Sequence, residues 1–248
     1  WYSGAVEWAR FCMRNTNEDA NMYKRFRSDN YGDGTTYSPR LVVSYVTAPS
    51  VPTASVSPAP PTWTNGNITL SWSGVTPGSG ATLADVQYSV TSATAGYISL
   101  GASASGSKEL ANLPTGANHS LWVRAKNSVG LYSTAKALSY SRDAQAPNAP
   151  TSVTLSPASW TSGNITVSYS GASDDLSGIS YHQYGISSSA SAAPSSSSYT
   201  TVQQSPFTIA PTQSSGYVWV RAVDKAGNVG TAKCSSTPFY RDTSAPPA

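Results

Sequence analysis

His119 and His182 are the side chains of this chain suited to general acid–base work near neutral pH, and catalysis on either would need a nucleophile and an orienting carboxylate within hydrogen-bond reach. The two histidines fall in different repeats, so sequence proximity assembles neither a Ser-His-Asp nor a Cys-His arrangement. Both read as strand or turn residues, and no catalytic residue is assigned. No metal or cofactor is assigned; the adjacent carboxylates Asp174 and Asp175 offer oxygen ligands of the kind calcium takes from loops in extracellular modules and are only weak candidates for it. One adjacent pair is a thin ligand set. Asn15, Asn17 and Asp19 alternate like a calcium loop but lack its glycine and terminal carboxylate.

Two Trp-x-Arg steps, Trp122/Arg124 and Trp219/Arg221, are the candidate binding residues. In an alternating strand they point away from the core at equivalent places, where an indole beside an arginine can stack on a sugar or a protein partner. The local alternative is an indole that covers a neighbouring strand and packs on an arginine stem. Arg10, Arg14, Lys24, Arg25 and Arg27 form a small basic cluster, too limited for binding by counterion release, so a solvated strand face is expected and nucleic acid is not. Cys12 and Cys234 lie near opposite ends without metal-ligand spacing, and a bridge between them is not expected. Asn67, Asn118 and Asn164 open N-x-[ST] triplets that recur by chance.

The elements that must position these residues emerge from an internal repeat. Trp63-Thr-Asn-Gly-Asn-Ile-Thr-Leu-Ser-Trp72-Ser-Gly74 returns as Trp160-Thr-Ser-Gly-Asn-Ile-Thr-Val-Ser-Tyr169-Ser-Gly171, 97 residues later. Leu121-Trp-Val-Arg-Ala125 returns at the same spacing as Val218-Trp-Val-Arg-Ala222, and Gln87-Tyr88 matches Gln183-Tyr184. Ala-Pro steps at Ala48-Pro49, Ala146-Pro147 and Ala245-Pro246 mark linkers. Alternation puts Ile68, Leu70 and Trp72 on one face, with Ile165, Val167 and Tyr169 as counterparts, and sends Leu121, Val123, Ala125, Val218, Val220 and Ala222 inward. Short strands between Asn-Gly, Ser-Gly and Pro-rich turns close naturally as sandwiches. The stretch Ser187 to Ser198 is too poor in apolar residues to bury area and is expected to be a mobile inter-strand loop.

A chain of 248 residues is long enough for two or three domains, each with its own core. Charged residues make up 11%, so solubility rests on hydroxyl and amide surface, and the net charge of +3 selects no strongly charged partner. No apolar run reaches 18 residues, so no membrane span is expected. The start at Trp1-Tyr-Ser-Gly4 and the end at Ser244-Ala-Pro-Pro-Ala248 read as those of an internal segment of a longer protein.

Asp174-Asp-Leu-Ser-Gly-Ile179, Tyr181 and Tyr184, followed by Val220-Arg-Ala-Val-Asp-Lys-Ala-Gly-Asn228, resemble bacterial immunoglobulin-like and fibronectin type III-like repeats of large cell-surface proteins. The first copy departs from that pattern: it has Val123-Arg-Ala-Lys-Asn-Ser-Val-Gly130 and no Ser-Gly-Ile step, and stands closer to fibronectin type III. Val6-Glu-Trp8, Arg25-Phe-Arg-Ser28 and Ser38-Pro-Arg-Leu-Val-Val-Ser-Tyr45 resemble the closing strands of a DNRLRE-type domain, which the rest of a sheet would have to complete.

These resemblances imply an all-β fold of tandem sandwiches preceded by a partial one: an incomplete β segment at 1–47, a first repeat at 48–145 and a second at 146–248. In such repeats the aspartate at 174 serves the turn before a strand by capping local amides. The implied role is a non-catalytic spacer or adhesion segment of a secreted or wall-attached bacterial protein. The alternatives are a glycan- or protein-binding module, or accessory modules of a large hydrolase or Rhs-type toxin. The implied partners are other domains of the same protein, neighbouring copies, a glycan or a protein, outside the cell.

Overall fold

The computed structural model describes residues 22–24 and 43–244. Within them the protein is all-β, with a single 3-10 turn at Ser196–Ser198. A short antiparallel pair comes first, β1 (Met22–Lys24) with β2 (Val43–Tyr45). Apart from Lys24 and these strands, the sequence expectations placed on residues 1–42, namely the basic cluster, Cys12, Asn15, Asn17, Asp19 and most of the DNRLRE-like strands, lie outside the described residues.

The first module contains β3 (Thr53–Ser57), β4 (Trp63–Thr64), β5 (Ile68–Ser73), β6 (Leu83–Ser89), β7 (Ile98–Gly101), β8 (Gly106–Leu110), β9 (Gly116–Asn127) and β10 (Lys136–Arg142). One sheet runs β3-β5-β8 and the other β4-β10-β9-β6-β7. The alternating residues supply the core between them. Ile68 and Leu70 from one sheet meet Val86, Leu121, Val123 and Tyr140 from the other, and Trp72 closes the cluster. Ile68, Leu70, Leu121 and Val123 are wholly buried, each contributing on the order of 1.5–3 kcal/mol by removal from water.

The second module repeats the plan with β11 (Ser152–Ser156), β12 (Ile165–Ser170), β13 (Ile179–Ser187), β14 (Thr200–Val202), β15 (Phe207–Ile209), β16 (Ser215–Asp224), β17 (Lys233–Cys234) and β18 (Phe239–Tyr240). Its sheets run β11-β12-β15 and β14-β13-β16-β17, with β18 also paired to β16. The core is separate from the first, built from Val153, Leu155, Ile165, Val167, Val218, Val220 and Phe239.

The serine-rich stretch is the inter-strand loop its composition predicts, joining β13 to β14 with most of its residues exposed. It folds back on the outer face of β13 and β16: Ser189 and Ser196 offer carbonyls to Trp219 Nε1 (3.3 Å) and Arg221 Nη2 (3.3 Å). Pro194 sits against Gly185, where an added Cβ would lie 3.0 Å from the proline ring. Backbone carbonyls and one proline make the loop's contacts with the sheet, and hydropathy registers neither.

Candidate functional site

The linker between the modules buries Asp143, Pro147 and Pro150 and exposes the residues from Ala144 to Ala146. Asp143, just after β10, is inaccessible to solvent although it carries a carboxylate. Its amide donates back to Thr64 O of the first module (2.9 Å), which fixes where the side chain leaves the strand. The carboxylate then crosses to the second module, with Oδ2 accepting the amide of Ser177 (3.0 Å) and Oδ1 that of Gln145 (2.9 Å). The Asn228 side chain donates to Asp143 O (3.0 Å) and, through the same Nδ2, to Asp224 Oδ2 (2.7 Å).

Three carboxylates converge there. One oxygen from each of Asp143, Asp174 and Asp224 lies within 4.8 Å of the others, and Asp143 and Asp224 are buried. At that separation each pair of like charges repels by about 3–4 kcal/mol at an effective dielectric near 20. The donors that reach them are neutral amides: Leu176 and Gly178 to Asp174, Asn228 to Asp224, Gln145 and Ser177 to Asp143. Lys225 supplies some positive potential, its ammonium lying 3.5 Å from the position a Cβ on Gly178 would take. Ser177, only 4% exposed, carries a buried hydroxyl with no hydrogen-bond partner among the described residues. Such an all-oxygen donor set, held by loops and a strand end, suits a hard divalent cation.

Of the two carboxylates singled out in the sequence, Asp174 belongs to this cluster, whereas Asp175 is exposed and outside it. Asp174 also caps the turn, accepting the amides of Leu176 (3.2 Å) and Gly178 (2.6 Å). Sequence reasoning missed Asp143 and Asp224. The available signal was the repetition of Arg142-Asp143-x-x-Ala-Pro147 as Arg241-Asp242-x-x-Ala-Pro246, and the Asp224 that stands where the first repeat has Asn127. Asn127 shows what a neutral group does at that position: its Nδ2 donates to Thr47 O (3.1 Å) and Pro77 O (3.2 Å), tying the preceding linker to the first module.

The outward-facing Trp-x-Arg residues are half-buried rather than free. The Arg124 guanidinium lies between Tyr97 (3.6 Å from the ring centroid) and Tyr132 (4.0 Å), with Nε donating to Gln87 Oε1 (3.0 Å). Arg221 repeats the device on Tyr199 (3.8 Å) and Gln183 Oε1 (2.8 Å). Burial raises the hydroxyl pKa of Tyr97 and Tyr199 above the ordinary tyrosine value, and the adjacent arginine partly offsets this. Trp219 also lines an open groove of about 610 Å³ between β11 and β17, with Val153, Lys233 and Cys234. Burial pushes the Cys234 thiol pKa up, away from the reactive thiolate, against smaller opposing effects of Ser235 and Lys233.

The histidines are occupied locally. His119 Nε2 lies 2.9 Å from Thr115 O and its ring stacks on Tyr140 at 5.5 Å, while the ring of His182 packs on Tyr169 at 4.4 Å. Burial lowers the His182 pKa below that of a free imidazole. No helix among the described residues is long and apolar enough to cross a membrane.

No family model and no curated protein matches the sequence. Among solved structures, the chain is similar to fibronectin(III)-like modules of CbhA from Clostridium thermocellum, at 14% identity and TM-score 0.37 over 76% of this chain and 94% of that one. It is also similar to the FN1-FN3 domains of chicken CNTN1, at 16% identity and TM-score 0.42 over 80% of this chain and 69% of that one. The assignment as tandem β-sandwiches rests on the strand ladders and the two cores described above, and neither neighbour carries ligand or activity to this chain.

Proposed function

We propose that this chain is a non-catalytic spacer of an extracellular protein, its two sandwiches held in register by a junction that a calcium ion closes. The observation that carries the reading is the buried linker carboxylate: Asp143 is fixed to the first module by its backbone and to the second by its side chain. A free tether would leave that side chain in water. Calcium at Asp143, Asp174 and Asp224 supplies positive charge beyond what the nearby Lys225 ammonium gives three carboxylates, with the Ser177 hydroxyl as a neutral donor. The resemblance of the second repeat to bacterial surface repeats, and of residues 1–47 to the end of a DNRLRE-type domain, supports placement in a bacterial surface protein. Satisfied, half-buried Arg124 and Arg221 favour the spacer over a glycan- or protein-binding module.

Small-angle scattering on the full chain, with calcium and with EDTA, tests the reading. A narrow distribution of module–module distances with calcium is expected, broadened by EDTA and by Asp143→Ala. A distribution equally broad in every condition would sink it.

A further inference from the structure

The linker that follows the second module reproduces the local bonds of the one between the modules. Asp143 N donates to Thr64 O at 2.9 Å and Asp242 N to Thr161 O at 3.0 Å. Arg142 Nη1 donates to Leu113 O at 2.8 Å and Arg241 Nη1 to Pro211 O at 2.7 Å. Asp143 Oδ1 accepts the amide two residues on at 2.9 Å, and Asp242 Oδ1 does so at 2.8 Å. The surroundings differ: Asp143 is inaccessible because the second module covers it, while Asp242 is exposed. Beside Asp242, Trp160 is 62% exposed and lies 5.2 Å from the ring of Tyr240, itself 37% exposed. Trp63, at the equivalent place in the first module, is half-buried and starts the turn whose Asn65 amide reaches to 3.9 Å from a Cβ placed on Gly227 of the second module.

We propose that the Asp242 end of the second module is a preformed docking face for one further module of the second type. The choice of type follows from how each linker is received. The linker ahead of the first module presents a neutral hydroxyl, Thr47 Oγ1, to the amide of Ser79 (2.7 Å), and the Asn127 amide grips its carbonyl. The linker ahead of the second presents a carboxylate to the amide of Ser177 and a carbonyl to Asn228. A charged linker residue thus meets the Asp-x-x-Ser-Gly turn and the Asp-x-x-x-Asn corner, and a neutral one meets the other face. Asp242 is charged. Its complement is therefore a module carrying the elements found at 174–178 and 224–228, and Trp160 with Tyr240 gives that module an apolar seat continuous with the linker.

This inference rests on the spacer reading, and its test separates the two. The full chain is extended after Ser244 either by a copy of residues 146–244 or by a copy of residues 48–142, and amide hydrogen exchange is followed at both junctions. In the first extension the copy of Ser177 is expected to exchange as slowly as Ser177 itself, and Asp242→Ala is expected to accelerate it about tenfold, the effect of one hydrogen bond, with Ser177 unchanged. In the second extension the appended module exchanges at its face as it does alone. Equal protection in both extensions, or indifference to Asp242→Ala, overturns the docking face and leaves the spacer standing. Rapid exchange at Ser177 itself overturns the spacer reading first.

Discussion

Asp224 and Asn127 occupy equivalent positions in the two repeats and solve the same problem with opposite chemistry. The asparagine bridges two backbone carbonyls with its own N–H groups, whereas the aspartate brings a third negative charge to a junction that already holds two. Asp224→Asn should therefore fold, since the first module tolerates that side chain, but lose calcium affinity. If calcium closes the junction as proposed, calcium about a hundredfold above the dissociation constant should add roughly 2.7 kcal/mol of stability to the wild-type chain. The variant should gain under about 1 kcal/mol, read as the calcium-induced shift of the denaturation midpoint; magnesium, which resists dehydration, should shift the wild type less. An unreduced calcium shift in Asp224→Asn would remove the cluster as the site. His182 gives a pH dependence of definite sign. Its pKa is lowered in the fold by burial, so the unfolded chain takes up the proton more readily, and stability is full above the free-imidazole pKa and falls as pH drops through it. His182→Gln should flatten the slope of stability against pH between about 7 and 5, measured by urea denaturation.

At the scale of strands, close pairing across a sheet decides which positions accept change. Trp72 on β5 faces Gly106 on β8, and its indole donates to Ser103 O (3.1 Å) while sitting in the core. A Cβ on Gly106 would stand 2.5 Å from Cζ2 of that ring. A buried, hydrogen-bonded indole has no room to yield, so Gly106→Ala should cost about 1–3 kcal/mol despite its exposed backbone, measured by chemical denaturation. No loss of stability would mean that the ring is free to shift. The inward faces of these strands were legible in the sequence because side chains alternate with a period of two, so Ile68, Leu70 and Trp72 announce their face without reference to anything distant. The site was only partly legible. Asp174 stood out beside a second carboxylate, but Asp143 lies in a proline linker and Asp224 at a strand end, each with an ordinary local role. Only the packing of the second module on the linker brings them together. Likewise Tyr97 and Tyr199 gave no sign that they would cover Arg124 and Arg221, since each arrives from an irregular loop.

For the molecule as a whole, two cores with no shared residues mean that the modules communicate only through the junction. That junction is asymmetric. Asp143 binds the first module through its backbone amide, a bond no substitution other than proline removes, and the second through its carboxylate. With calcium added to neutralise the carboxylate cluster, Asp143→Ala should therefore leave the stability of the first module within about 0.5 kcal/mol of wild type while lowering that of the second by about 1–3 kcal/mol, because the Ser177 amide is left buried without its charged acceptor. Hydrogen exchange at Leu70 and Val123, set against Val167 and Val220, reads the two modules separately in one sample. Equal losses in both cores would mean that the linker carboxylate supports the whole chain and not one side of a joint. A loss confined to the second module would mark the linker carboxylate as the anchor of that module alone.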